Sequence, residues 1–368
     1  MLRSPWFWIV VLLIAIGVAM SAALGVLYWL LGAFLAAVAG IVVTYLIAAY
    51  GVGRAPTPDL PPQQELSASE RIPVIFDSDI TTGGFFREVD DGLVLLYLLG
   101  EPRIELLSVT CTYGNGPVGM TTHTTHRLLD HVGRSDISVW TGASAPDGKP
   151  QANQAARHLA ETVQSRRSEI VLIATGSMTN LRHAATLDPG FFGNLRGLYL
   201  MGGVTETLIW NRRRLGELNF SLDPEATHQA IHADCPVTIA TGQSGLGAIF
   251  RSPQYAALQA LADPVSRMIA RQIRSWFALM RLYFRDGGFA MWDSVAALML
   301  TRPGLFAYER GRITSTHEQL RTGRIVFEPD AEGPVRIVRS VLDVDGFMKS
   351  HFAAWHHLGQ DTQTRRRK

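Results

Sequence analysis

Asp77 and Asp79 close an apolar run, Ile72-Pro-Val-Ile-Phe76, and Asp90-Asp91 open another, Gly92-Leu-Val-Leu-Leu96. The first run reads as a buried strand and the second as a helix, so four carboxylates converge where a strand ends and a helix begins. The dipole and free N–H groups of a helix first turn offset one or two negative charges, but four in one place call for a cation. All-oxygen ligation selects a hard ion, calcium or magnesium. Capping of the turn and of the helix is the plainer use of such acids, and the four residues by themselves leave both readings open.

The elements that must position these acids follow a regular order. Short apolar runs at 72–76, 104–112, 137–140, 170–174, 197–201 and 237–240 read as buried strands, and helical patterns fall between them. That alternation predicts an α/β fold, a mostly parallel, doubly wound sheet with helices on both faces, because parallel neighbours need crossovers and both sheet faces must be covered. In such a sheet ligands bind beyond the carboxyl ends of the strands, where Asp77 and Asp79 lie. Residues 253–284 read as helical, 311–341 as shorter strands, and 345–355 as a closing helix.

Ahead of this domain, no Asp, Glu, Lys, Arg or His occurs between Arg3 and Arg54. One helix of about 50 residues would be roughly 75 Å long against a hydrocarbon core of roughly 30 Å. The length therefore predicts two transmembrane helices, at about 6–24 and 30–50, with a tight turn at 25–29. Arg3 and Arg54 flank the pair, which places both ends and the following domain on the cytoplasmic side. The expected organisation is a membrane anchor over 1–53 in contact with lipid, a Pro-rich linker over 54–71 (Pro56, Pro58, Pro61, Pro62), a catalytic domain over 72–356, and a basic tail over 357–368.

Further motifs recur in one order along the chain. Val109-Thr-Cys-Thr-Tyr-Gly-Asn115, Ala174-Thr-Gly-Ser-Met-Thr-Asn180, Leu198-Tyr-Leu-Met-Gly-Gly203, Glu217-Leu-Asn219, Asp223-Pro-Glu-Ala226 and Met291-Trp-Asp293-Ser-Val-Ala296 follow the two acidic pairs, and Leu342-Asp-Val-Asp-Gly-Phe347 closes the series. Each is common alone; together and in this order they resemble the inosine-uridine-preferring nucleoside hydrolase family over about residues 72–356. The resemblance implies Ca2+ held by Asp79, Asp91, the main-chain carbonyl of Thr175 and Asp293. It implies ribose contacts from Asp90, Asn115, Asn211, Glu217 and Asn219, with Asp77 supporting the loop from behind. It also implies a ribonucleoside substrate, a homodimer or homotetramer, and hydrolysis of the N-glycosidic bond to ribose and free base. Such a bond breaks through an oxocarbenium-like sugar, which needs a water on one face and a base for it. Asp79 is the expected general base.

Two departures bear on that expectation. The segment 80–89 is longer than the family's link between its acidic pairs and reads either as an outward lid, with Phe85 or Phe86 over the nucleobase, or as a surface insertion, the latter preferred. Many family members carry a histidine before the last metal aspartate, suited to protonating the leaving base, whereas Trp292 stands here; a purine-specific subgroup is similar in this respect, and stacking on an indole favours a purine. Trp292 as simple core filling is the alternative.

Other classes fit less well. A net charge of +2 does not argue for nucleic acid, and Cys111 and Cys235, far apart in apolar runs, form neither a zinc site nor a disulfide framework. Residues 242–247 lack the spacing and lysine of a phosphate loop, and Ser244 does not sit in a G-x-S-x-G elbow. A non-catalytic membrane-tethered riboside-binding or scaffold protein on the same fold is the main alternative. A magnesium phosphohydrolase, prompted by Arg212-Arg-Arg214, is a third.

Overall fold

Val74 and Phe76 pack toward one face of the first strand and Ile75 toward the other, all wholly shut off from solvent. Apolar side chains on both faces are what a strand covered by helices on either side demands. The structure, a computed structural model, describes residues 5–61, 67, 70–284 and 287–367. It divides into two units, Met1–Gly51 and Val52–Lys368.

The second unit contains strands β1 (Ile72–Ser78), β2 (Ile104–Cys111), β3 (Ser138–Thr141), β4 (Val171–Ala174), β5 (Gly197–Met201), β6 (Ile209–Trp210), β7 (Arg213–Arg214), β8 (Val237–Ala240), β9 (Ile249–Arg251), β10 (Gly288–Ala290), β11 (Phe306–Ile313), β12 (Phe327–Pro329) and β13 (Val335–Val341). Nine of them form one sheet in the order β3-β2-β1-β4-β5-β8-β13-β11-β12. From β3 to β13 all neighbours are parallel; β11 alone runs against them, and the edge strand β12 pairs antiparallel with β11. The expected mostly parallel sheet is therefore present, and all six strands anticipated up to residue 240 are found. The helices Asp90–Gly100, Trp292–Thr301 and Val344–Arg367 contribute to the core on one face, and Gln154–Ser165, Thr179–Leu187 and Pro224–Ile231 to that on the other.

The chain runs outward from β1 in both directions, through β2 to β3 on one side and β4 to β5 on the other. The switch point between β1 and β4 leaves a crevice beyond their carboxyl ends, where two crossovers part. Asp79 follows β1 and Thr175 follows β4.

One boundary differs from expectation. The C-terminal helix continues from Val344 to Arg367, and its extension is packed: Leu358 and Thr362 are buried, and Thr362 Oγ1 donates to the Val132 carbonyl at 3.0 Å. Residues 357–367 thus continue a core helix, because apolar and small residues still recur on its inner face after Trp355; Lys368 lies outside the described residues. Residues 54–61 have no regular structure, and 62–66, 68 and 69 of the expected linker lie outside the described residues.

In the first unit, Pro5–Tyr50 is one continuous helix of 46 residues. The turn anticipated at 25–29 is absent. Gly25-Val-Leu-Tyr-Trp29 holds no proline or polar turn residue, and a single glycine costs a helix only about 1 kcal/mol. Within this helix, Leu24–Tyr50 is long and apolar enough to cross a membrane, by length and composition. Arg3 lies outside the described residues.

Candidate active site

At the end of β1, Asp77 accepts hydrogen bonds from Thr110 Oγ1 (2.5 Å) and Asn180 Nδ2 (2.7 Å). Asn180 also donates to the Cys111 carbonyl and accepts from the Ala143 amide, so one buried amide ties the ends of β1 and β2 to the next loop. Asp77 thus sits behind the site. Burial pushes its carboxyl up to about 7.

Asp79 turns the other way. Its carboxylate accepts the Asn115 amide at 2.6 Å and Asn115 Nδ2 at 3.1 Å, and the same Nδ2 lies 3.2 Å from Asp91. The other oxygen of Asp91 accepts Thr175 Oγ1 at 2.6 Å. Asn115 and Thr175 therefore bridge the carboxyl ends of β2 and β4 onto two acids that are both fully buried. Asp90 faces away from this pair and accepts the Asp293 amide at 2.6 Å and Ser294 Oγ at 2.9 Å. It caps the first turn of Trp292–Thr301 from another element and so aims Asp293 at the cluster. None of Asp77, Asp79, Asp90, Asp91 and Asn211 is among the residues that line the cavity described below; Asp79 and Asp91 lie behind Asn115 and Thr175, which do line it.

One carboxylate that sequence reasoning passed over joins the group. Oxygen atoms of Glu88, Asp91 and Asp293 all lie within 4.8 Å of one another, close enough to share one cation. Glu88 ends the segment read as a surface insertion. That segment is anchored from within: Ile80, Thr81 and Thr82 are buried, and the two threonine hydroxyls donate to the carbonyls of Glu88 and Val89. Its exposed part is Phe85, Phe86 and Arg87, none of which lines the cavity, so the lid reading is not supported. The signal in the sequence was an acid two residues before Asp90.

Burial is the first cause that raises the carboxyls of Asp79, Glu88, Asp90, Asp91 and Asp293; repulsion adds to it at Asp79, Glu88, Asp90 and Asp293, whereas hydrogen bonds offset it at Asp91. Asp90 is pushed up to about 8. Acids in this state hold protons unless a cation replaces them, and the carboxyls of Glu88, Asp91 and Asp293, with no lysine or arginine paired to them among the described residues, make a donor set suited to a hard divalent ion.

Glu88 and Asp293 of the cluster line a cavity of about 370 Å³, within the range of small-molecule sites. Glu88, Asn115, Thr175, Glu217, Asn219, Trp292 and Asp293 line its polar side. Glu217 accepts the amides of Gly203, Phe220 and Ser221, which fixes it at the cavity edge. Asn219 donates to the Met201 carbonyl at the end of β5. The lining also includes five aromatic residues, Trp210, Trp276, Tyr283, Phe284 and Phe289, none of which the sequence motifs marked. Trp292 lines the cavity while its Nε1 donates to the Gly242 carbonyl at 3.1 Å. The glycines at 242–247 thus let a loop approach an indole; a Cβ on Gly245 would stand 1.8 Å from Trp292 Cδ1.

Asn211 lies instead in the β6–β7 turn. Asn211 and Arg212 have φ of 48° and 64°, as a two-residue hairpin turn requires. Arg213 stacks over Tyr283 with its guanidinium 4.0 Å from the ring centroid. Among the described residues no arginine, lysine or histidine lines the cavity, which removes the basic residues a phosphohydrolase would need.

The family model described as inosine-uridine preferring nucleoside hydrolase matches residues 74–349. The chain belongs to that family. A pyrimidine-specific ribonucleoside hydrolase of Shewanella woodyi is 26% identical over 251 residues, covering 60% of this chain and 78% of the relative. A non-specific ribonucleoside hydrolase of Klebsiella pneumoniae is 24% identical over 264 residues, covering 65% and 82%. Among solved structures, a purine-preferring ribonucleoside hydrolase from Gardnerella vaginalis aligns with a TM-score of 0.68 at 21% identity, over 78% of this chain and 99% of that one. This nucleoside hydrolase is an enzyme that cleaves the N-glycosidic bond of ribonucleosides, and its acidic cluster is where a metal-dependent hydrolase needs one.

Proposed function

We propose that this nucleoside hydrolase is calcium-dependent, prefers purine ribonucleosides, and works while anchored to a membrane. The observation that carries the proposal is one cavity lined both by carboxylates, Glu88, Glu217 and Asp293, and by aromatic rings. Asp79, Asp91, Asp293 and the Thr175 carbonyl would hold the ion; oxygen ligands, several of them charged, match calcium. A bound calcium would orient the vicinal ribose hydroxyls and a water against the carboxylates and acidify that water.

Asp79 then acts as the base. Its carboxylate is held by Asn115, and burial keeps its proton affinity high, which suits it to take a proton as water oxygen bonds to the anomeric carbon. The bond from that carbon to the base nitrogen breaks, its electron pair goes to the base, and the base leaves with a proton. Glu217 and Asn219 at the cavity edge hold the sugar. With no histidine on the cavity wall among the described residues, the proton for the leaving group comes from solvent water, and a purine stacked on Trp292 has ring nitrogens able to accept it before the bond breaks. The Leu24–Tyr50 helix would cross the bilayer, and Arg54 just after it puts the catalytic domain on the cytoplasmic side. The dimer or tetramer implied by the family is retained as an expectation for this domain.

The test uses the full-length chain in detergent with purine and pyrimidine ribonucleosides, with and without a calcium chelator, beside Asp79→Asn. The expected result is release of free base, faster from purines, abolished by chelation, and lowered on the order of 100-fold or more in the variant. Chelator-resistant turnover overturns the calcium assignment, faster pyrimidine turnover overturns the purine preference, and an active variant overturns the role of Asp79.

A further inference from the structure

Glu88 belongs to the lengthened segment 80–89, which has no counterpart in the motifs that resemble the family's metal site. Yet it is built into the centre. Its Oε1 accepts the Asp90 amide at 2.7 Å, which fixes the carboxylate at the start of the Asp90–Gly100 helix. Its Oε2 is shut off from solvent and has no hydrogen-bond partner. The group shares a 4.8 Å neighbourhood with the carboxylates of Asp91 and Asp293, and it lines the cavity. A buried carboxylate oxygen without a donor is costly unless something positive comes to it, and among the described residues no lysine, arginine or histidine lines the cavity around it.

We infer that Glu88 is an additional ligand of the bound cation, supplied by this chain's own insertion and joining Asp79, Asp91, Asp293 and the Thr175 carbonyl. This rests on the metal reading proposed above. The insertion is thereby a device that adds a negative charge at the ion. Thr81 and Thr82, bonded to the carbonyls of Glu88 and Val89, and Arg127, whose Nη2 donates to the Thr82 carbonyl at 3.0 Å, brace the loop that delivers it. The consequence is an ion held more tightly than the four shared groups alone would hold it, and with greater preference for a trivalent probe.

The experiment measures binding, not turnover: calorimetric titration of the metal-stripped full-length protein with Ca2+, and Tb3+ luminescence excited through the cavity tryptophans. Wild type is compared with Glu88→Gln, which keeps shape and removes charge, and Glu88→Asp, which keeps charge and withdraws it by one methylene. Loss of a group that only supports a ligand costs about 10–100-fold in affinity, so loss of a ligand should cost about 100-fold, in both variants and for both ions. Unchanged affinity in Glu88→Gln overturns the inference. Weakening in Glu88→Gln alone, with Glu88→Asp like wild type, also overturns it, because a charge acting through space would do that. A wild-type protein that binds neither ion overturns the metal reading itself, whereas wild-type binding with indifferent variants leaves that reading standing and removes only Glu88.

Discussion

Replacing Gly114 by alanine places a methyl group where Asp79 keeps its carboxylate. The new Cβ would stand 1.9 Å from Asp79 Oδ2 and 3.0 Å from its Cγ. Carbon and oxygen in contact lie about 3.3 Å apart, so the carboxylate or the Tyr113–Asn115 loop must give way by about 1.4 Å. Both moves are harmful: the Asn115 amide and side chain that steady Asp79 sit in the same loop, at 2.6 and 3.1 Å. Misplacing a reacting group by about 1 Å costs on the order of 100-fold in rate, or about 2.7 kcal/mol of transition-state stabilisation. Overpacking itself costs about 1–3 kcal/mol of stability, which a domain of this size tolerates. The assay is kcat/KM for release of free base at saturating calcium, with near-ultraviolet circular dichroism to confirm the fold. Gly116→Ala is the control, since its Cβ would lie 3.1 Å from Met120 Sδ and from Thr81 Cγ2 and does not meet Asp79. A Gly114→Ala enzyme within about threefold of wild type would refute the placement of Asp79 at the reacting centre.

The carboxyl cluster ties stability to pH in a definite sense. Asp77 and Asp90 are raised in the folded chain to about 7 and about 8 from an ordinary value of 3.8, chiefly by burial. Acids raised on folding bind protons more tightly in the native state, so their contribution is complete below about pH 4 and is lost as pH rises through 7 to 8. The unfolding midpoint of the metal-stripped protein should therefore fall between pH 5 and 9, and saturating calcium should remove most of that slope; a midpoint that is flat or rises without metal contradicts the reasoning. For Asn211, a hairpin-turn residue off the cavity wall, Asn211→Gly suits the positive φ and should leave kcat/KM within about threefold. A loss of about 30-fold or more would restore it to the ribose site.

Much of the scaffold was legible because it is written in local pattern. Short apolar runs separated by helical stretches admit few solutions other than a parallel sheet covered on both faces, and the acids at 77, 79, 90 and 91 sit at strand and helix ends whatever the tertiary detail. Glu217 and Asn219, two residues apart, reach the cavity together. The helix end was less legible: the basic residues after 364 concealed a packed inner face that runs through Leu358 and Thr362. The N-terminal turn was inferred from length alone, and length does not break a helix whose residues all favour one.

The amino-acid sequence by itself determined the sheet, the acidic pairs and the family to which their order points, because strand and helix periodicity and motif order are properties of neighbours along the chain. Only the tertiary structure decided which acids stand close enough to share one ion and which serve the scaffold. Asp90 turned to cap a helix two hundred residues away, Glu88 came out of an apparent insertion to face Asp91 and Asp293, and five aromatic side chains from three later segments closed the cavity. Those outcomes depend on where crossovers return after many residues. Charge repulsion and burial, which make the site want a cation, exist only once the carboxylates have been brought within a few ångströms of one another.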